Sequence, residues 1–160
     1  PGQVDVLIHP QSIVHSMVEY ADGSIIAQMG QTNMYLPILN VLAYPDRLSN
    51  RFKPLDLAAL GTLTFEHPRR RDFPCLDYAF EAIERGGTVP AALNAANEIA
   101  VREFLEKRIG FGDIPRAIRW VLDHWNGALD TPEITPDTLS RADARAREMT
   151  EEYAGNITRR

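Results

Sequence analysis

Two hydrophobic periods divide the chain. Between residues 13 and 29 apolar and polar positions alternate in steps of two, in IVHSMVEY and SIIAQM, with Asp22-Gly23 between the two runs. An Asp-Gly pair between alternating β-formers is a strong hairpin signal, because the turn positions require positive φ. The spacing predicts strands over 13–20 and 24–29 with Asp22 and Gly23 as the two turn residues, Tyr20 opposite Ile25 and Val18 opposite Ala27. One face then carries Val14, Ser16, Val18, Tyr20, Ile25, Ala27 and Met29, the core side. The other carries His15, Met17, Glu19, Ile26 and Gln28, a mixed surface able to meet a ligand or a partner. Upstream, a short apolar run over 4–8 leads into His9-Pro10-Gln11-Ser12, where Pro10 re-aims the chain and leaves Gln11 and Ser12 in a loop.

After residue 30 the pattern changes. YLPILNVLAY over 35–44 predicts a short helix with Pro37 in its first turn, where a missing N–H costs little. Residues 48–56 read as a loop anchored by Phe52 and Pro54, residues 61–65 as one short strand, and 66–74 as a linker with two prolines and three arginines. From residue 75 the period is helical. Leu76, Phe80 and Ile83 mark one face of a first helix that Gly86-Gly87 stops. Thr88 reads as the cap of a helix over 89–108 with an inner stripe of Leu93, Ala96, Ala100 and Phe104. Asp113 reads as the cap of a third helix, on which Ile114, Ala117, Ile118, Val121, Leu122 and Trp125 keep the amphipathic spacing without a miss. Thr135-Pro136 opens the last helix, lined by Leu139, Ala142, Ala146, Met149 and Tyr153. The pattern as a whole predicts an α+β chain: a hairpin and sheet portion over 1–65, a linker over 66–74 and a four-helix bundle over 75–160.

The 160 residues carry a net charge of −5, which argues against a nucleic-acid face. The basic clusters are Arg69-Arg70-Arg71 and Arg159-Arg160, the first read as a solvated loop. No apolar run approaches the roughly 20 residues that a membrane span needs, and a single cysteine, Cys75, fits a reducing cytosol. The chain starts at Pro1 and runs at once into a strand-like segment, as a piece of something longer would.

Motifs for complete catalytic machinery are absent. There is no Gly-x-Gly-x-x-Gly after a strand, no His-Glu-x-x-His, no cysteine pair and no Gly-x-Ser-x-Gly. His9 and His15 lie six apart across a polar loop, and no carboxylate or third histidine is spaced to join them on a metal. On spacing alone each reads as a histidine held by a backbone carbonyl or by Ser12. Ser12 reads either as a loop cap or as a hydrogen-bond donor to a ligand. Met34 reads either as core filling or as a flexible apolar wall. Asn94 and Asn97 read as structural asparagines satisfying backbone groups at a helix contact, and Trp120 and Trp125 fall on opposite sides of their helix with Trp125 in the core.

HPQSIVHSMVEYADGSIIAQMG over 9–30, KPLDL over 53–57, LTF over 63–65 and ALNAANEIAV over 92–101 resemble the C-terminal part of the 1-deoxy-D-xylulose 5-phosphate reductoisomerase family. The resemblance covers most of the chain and weakens after about Asn126. It implies a parent enzyme that rearranges and reduces 1-deoxy-D-xylulose 5-phosphate to 2-C-methyl-D-erythritol 4-phosphate, with NADPH and a divalent metal, magnesium or manganese. It implies that the NADPH domain and the metal's carboxylates precede this segment, so that the chain alone holds neither cofactor. By the same resemblance His15 and Ser12 match residues near the bound substrate, His15 as an orienting or proton-relay group, while His9 is the weaker candidate and Met34 packs beside the reacting region. The family's homodimers, paired through the sheet, imply a homodimer here, in a bacterial cytoplasm. The chain departs from the family at Thr32, where a proline is usual. A stand-alone oligomerisation or binding module, a hairpin platform with an appended bundle, is the competing reading, and some 240 further residues upstream would decide against it.

Overall fold

Strands β1 (Val14–Glu19) and β2 (Ile25–Met29) pair antiparallel in the computed structural model, which describes residues 2–126 and 134–158. Their register differs from the expected one. Glu19 faces Ile25, Val18 faces Ile26 and Met17 faces Ala27, so the turn holds three residues, Ala21, Asp22 and Gly23. The cause lies in the turn. Gly23 adopts φ +82° while Asp22 keeps a negative φ, and Tyr20 exchanges bonds with Ser24 O and Gly23 N at 2.9 Å. Asp22 Oδ1 meanwhile accepts from Ser24 N and Oγ at 2.9 and 2.6 Å. Such a loop, one left-handed glycine after a type I turn, is longer by one residue than the two-residue turn.

A slip of one residue turns every side chain of one strand to the other face. Val18 and Tyr20 therefore share a face with Ile26, while Met17 and Glu19 share the other with Ile25 and Ala27. A bulge between Val14 and Ser16 leaves His15 as the extra residue and returns Val14 to a position opposite Met29. The expected core and outer faces are both mixtures of the observed ones.

The hairpin belongs to a unit comprising Asp5–Pro68, and Arg69–Arg160 with Pro1–Val4 form a second unit. Helix α1 (Tyr35–Ala43) forms where expected, with Pro37 in its first turn; apolar almost throughout, it has no buried residue. Helix α2 (Leu57–Leu60) is a single turn, too short to show a period in sequence; Asp56 caps it by accepting from Ala59 N at 3.0 Å. The strand expected over 61–65 does not form. Only Ile8 and Glu66 bridge, through two backbone bonds of 2.9 Å. The reason is that the Thr64 N–H and carbonyl are taken by the side chains of Gln11 and His9, which leaves no ladder to extend. The apolar run over 4–8 contributes no strand beyond that bridge.

The second unit is a bundle of α3 (Cys75–Arg85), α4 (Val89–Leu105), α5 (Asp113–His124) and α6 (Pro136–Thr158). The α5 stripe is buried at every expected position through Trp125. On α6, Ala142, Ala146 and Met149 are buried, and Thr135 Oγ1 caps the helix by accepting from Thr138 N at 3.1 Å. Two stripes need correction. α3 turns Ala82 inward, with Cys75 and Tyr78 beside it, and leaves Ile83 55% exposed. α4 ends at Leu105 rather than at residue 108. Because it packs against α3, α5 and α6, its buried arc is wider than one stripe, with Val89, Ala92, Ala95, Ala96, Ile99 and Ala100 inside and Leu93 and Phe104 at the margin.

Alanines from all four helices line the core, so small side chains stand at the helix contacts. The Thr88 hydroxyl does not cap α4; it accepts from Trp125 Nε1 at 3.3 Å and ties the two helices together. Asn94 and Asn97 are exposed, contrary to the expected buried contact, and Asn94 Nδ2 donates to Glu98 Oε1 at 2.9 Å. Arg70 pairs with Asp77 at 2.7 Å, whereas Arg159 and Arg160 lie outside the described residues. No helix among the described residues is long and apolar enough to cross a membrane.

Glu103 is the buried carboxylate of α4. Hydrogen bonds from Arg108, with help from Arg102, hold its carboxyl below the usual glutamate range against the opposing effect of burial. A depressed carboxylate stabilises the fold above the ordinary glutamate range and loses that contribution as pH falls through its lowered value. Thermal melts are expected to drop between about pH 5 and pH 3, and Glu103→Gln is expected to flatten part of that slope. An unchanged acid slope in the variant would assign the loss to other carboxylates, of which Glu81, held low by Arg119, is the first.

Candidate functional site

Three short segments of the first unit converge on the His9–Ser12 turn. Ser12 N donates to His9 O at 3.0 Å and closes it. Ser12 itself adopts φ +52°, a left-handed conformation that costs a non-glycine residue on the order of 1 kcal/mol. Its side chain is exposed, and its hydroxyl has no hydrogen-bond partner among the described residues.

The turn is held from the segment after α2. His9 Nδ1 lies 2.8 Å from Thr64 O. A carbonyl only accepts, so Nδ1 carries the proton and Nε2 is left as an acceptor. That Nε2 is buried and unpartnered among the described residues, and the ring stacks on Phe65 at 4.6 Å. Gln11 Oε1 accepts from Thr64 N at 3.3 Å, and its Nε2 reaches Thr64 Oγ1 at 2.9 Å. Thr64 is thus the meeting point of both side chains.

His15 is positioned differently, by the bulge of β1. Its Nε2 lies 3.2 Å from Gln31 O, which makes Nε2 the donor and leaves Nδ1 without a partner among the described residues. Gly30 makes the approach possible: a Cβ there would sit 3.3 Å from His15 Nε2 and 3.6 Å from Leu36 Cδ1. The loop after β2 also returns to the turn, since Thr32 Oγ1 donates to Gln11 O at 3.4 Å. A proline in place of Thr32 has no hydroxyl to make this bond. Asn33 Oδ1 then accepts from Tyr35 N at 3.1 Å and starts α1.

Both spacing-based alternatives for the histidines take the same form, each ring meeting a backbone carbonyl and neither bonding Ser12. Met34 precedes α1 and is 57% exposed, so it is not core filling within this chain. His9 and Ser12 share one turn; His15 is linked to the loop that leads into Met34; no hydrogen bond joins Met34 to the other three among the described residues. Gly30 and Thr64 were not singled out from the sequence, and Gln11, expected in the loop with Ser12, instead turns its side chain to Thr64. The glycine immediately after β2 was the available signal, whereas the Gln11–Thr64 pairing spans 53 positions and left none. Among the described residues no group of three or more His, Cys, Asp or Glu side chains is placed to hold a metal ion, so these residues do not fit a metal centre of their own.

Fold and site together define an α+β protein in which a hairpin presents a serine- and histidine-bearing loop, accompanied by an alanine-cored four-helix bundle. Residues 29–149 match the family described as the DXP reductoisomerase C-terminal domain, and the chain belongs to that family. It is 53% identical over 149 residues, 93% of its length, to the 1-deoxy-D-xylulose 5-phosphate reductoisomerase of Acetivibrio thermocellus, and 46% identical over 153 residues to that of Pseudomonas putida. The chain spans 38% of the length of each of these relatives. Among solved structures, the Zymomonas mobilis reductoisomerase in complex with NADPH superposes with a TM-score of 0.83 at 44% identity, over 92% of this chain and 38% of that one. A DOX-P reductoisomerase with fosmidomycin and magnesium gives 0.86 at 36% identity, over 96% and 40%.

The contact at Gly30 is open to test. Gly30→Ala is expected to push the His15 ring off Gln31 O and to destabilise the chain by about 1 kcal/mol, the lower end for an overpacked site. The His15 imidazole resonances and the urea midpoint read both effects. Resonances that stay in place would mean that the neighbouring side chains absorb the methyl group.

Proposed function

We propose that this chain is the C-terminal part of an NADPH- and divalent-metal-dependent reductoisomerase that converts 1-deoxy-D-xylulose 5-phosphate to 2-C-methyl-D-erythritol 4-phosphate in non-mevalonate isoprenoid synthesis, in a bacterial cytoplasm. The observation that carries this reading is the 53% identity over 93% of the chain to a protein of that name. Residues 1–65 complete the catalytic domain of the parent, 66–74 link it onward, and 75–160 form the helical domain. Magnesium or manganese and NADPH are held by the remainder of the protein, a reading supported by the lack of a metal-holding cluster among the described residues and of a dinucleotide loop in the sequence. The chain alone is therefore inactive.

Within this reading the loop forms one wall of the substrate site. The free hydroxyl of Ser12 donates to a substrate oxygen. His15 orients the substrate or relays a proton through Nδ1, its Nε2 being occupied by Gln31 O. Met34 offers an exposed, flexible thioether beside the carbon chain. His9 stands behind Ser12 and is the least direct of the four. Support for these roles is local: an unbonded hydroxyl held in a left-handed turn, and an imidazole with one nitrogen anchored and the other free.

The hairpin also supports self-association. β1 and β2 form a two-stranded sheet among the described residues, so each has an outer edge of unpaired N–H and C=O groups. No proline or lysine lies between residues 13 and 29 to blunt those edges. Val18, Tyr20 and Ile26 share one face and are each at least half exposed, an apolar surface that a second hairpin of the same kind would cover in a two-fold dimer.

Three outcomes test the proposal. In the full-length enzyme His15→Ala is expected to lower kcat by about 10²-fold or more with the melting temperature held, as loss of a positioned proton-transfer group does; unchanged kinetics would leave His15 a structural residue. Calorimetric titration of the 160-residue chain is expected to show no NADPH or magnesium site in the micromolar range, and a micromolar site would overturn the division of labour. Ultracentrifugation is expected to give a dimer that Val18→Lys with Ile26→Lys converts to monomer. Val18 and Ile26 are paired in this variant because the observed register puts them on one face, whereas Met17, expected beside Ile26, lies on the other.

A further inference from the structure

The turn that carries Ser12 is held in an unfavourable backbone conformation, and the groups that hold it there end on one residue. Thr64 N donates to Gln11 Oε1 at 3.3 Å, Thr64 Oγ1 lies 2.9 Å from Gln11 Nε2, and Thr64 O accepts from His9 Nδ1 at 2.8 Å. Its neighbours complete the bracket. Phe65 carries the His9 ring, and Glu66 exchanges two backbone bonds with Ile8. All three polar atoms of Thr64 are thus bonded to the two residues that lie on either side of Pro10. An arrangement in which one residue satisfies both arms of a strained turn fixes that turn without touching what the turn holds.

We propose that Thr64 is a positioning residue for the reaction, acting on Ser12 through His9 and Gln11. The inference rests on the reading of Ser12 as a substrate contact, and it adds a residue 52 positions away whose hydrogen bonds among the described residues all run to the loop that carries Ser12. Gln11 is the coupling element: its side chain ends on Thr64, while its carbonyl receives Thr32 Oγ1 at 3.4 Å. Displacing Gln11 therefore moves both the Ser12 turn and the loop that bonds His15. Rigid support of this kind acts on turnover, because small displacements of a contacting group cost more in the transition state than in binding.

The test uses the full-length enzyme and three variants. Thr64→Val keeps the β-branched shape and both backbone groups and removes only Oγ1; Thr64→Ser retains the hydroxyl; Ser12→Ala removes the group being positioned. Thr64→Val is expected to lower kcat about ten-fold with little change in KM, to speed hydrogen exchange at the Ser12 amide, and to leave the melting temperature of the helical unit in place. Thr64→Ser is expected to recover most of the turnover and the slow exchange. In the Ser12→Ala background Thr64→Val should add nothing further, since the positioned group is gone. If Ser12→Ala lowers turnover but Thr64→Val changes neither kcat nor the Ser12 exchange rate, Thr64 is not a positioning residue. If Ser12→Ala leaves turnover intact, it is the substrate-contact reading that fails, whatever Thr64→Val does to exchange. Equal losses from Thr64→Val and Thr64→Ser, or additive losses with Ser12→Ala, would assign Thr64 a general structural role and overturn the inference.

Discussion

An isolated two-stranded hairpin is at best marginally stable in water, and Ser12 and His15 sit at the start of one, in the loop before β1 and in its bulge. Its strands bury almost nothing within the chain: apart from Ile13, Gly30 and a few half-buried positions, both faces are exposed. The flanking loops are fixed instead by polar contacts that arrive from far along the sequence. Thr64 and Glu66 hold the turn at its start, Thr32 holds Gln11 from the other side, and Gln31 holds His15. The site geometry is thus set by a small number of directional bonds rather than by packing. Each is modest in net worth, about 1 kcal/mol for a typical hydrogen bond. Their effect comes from acting on one short stretch, at Ile8, His9, Gln11 and His15.

The helical unit follows a different rule. Its core is apolar, with buried alanines on all four helices and Ile99, Ile118, Leu122, Val89 and Val121 as the larger buried side chains. Its polar links lie around this core. Arg85 bonds the carbonyls of Leu122 and Trp125 at the end of α5, Arg147 joins α6 to Glu98 of α4, and Arg119 joins α5 to Glu81 of α3. Half-exposed pairs such as these contribute little stability individually and act mainly to set how the helices meet. The exposed Asn94 and Asn97 belong to this outer layer, and nothing in the helical unit itself explains their place in the ALNAAN run.

How much of this was legible in the sequence depended on the range of the interaction involved. The α5 stripe was read without error because its buried face is a repeat of 3.6 residues, a local property. The α4 stripe was read too narrowly, since α4 packs most extensively of the four helices, and such a helix buries more of its circumference than an amphipathic pattern indicates. In the hairpin the existence and position of the turn were evident from Asp22-Gly23. The register was not, because it hinges on which of the two residues takes positive φ, and both are able to.

The site divides along the same line. By itself the sequence determined the α+β class, the hairpin, the four helices and the family, and it pointed to His9, Ser12, His15 and Met34, because those rest on local period, turn chemistry and contiguous motifs. Only the tertiary structure decided which nitrogen of each histidine is engaged, that Ser12 is left-handed with a free hydroxyl, that His15 sits in a bulge against Gly30, and that residues 61–65 give up a strand to hold the loop opposite. The last of these depends on Gln11 and Thr64 meeting across 53 positions. A backbone N–H that finds a side-chain acceptor leaves the sheet ladder, and no periodicity in either segment records that exchange.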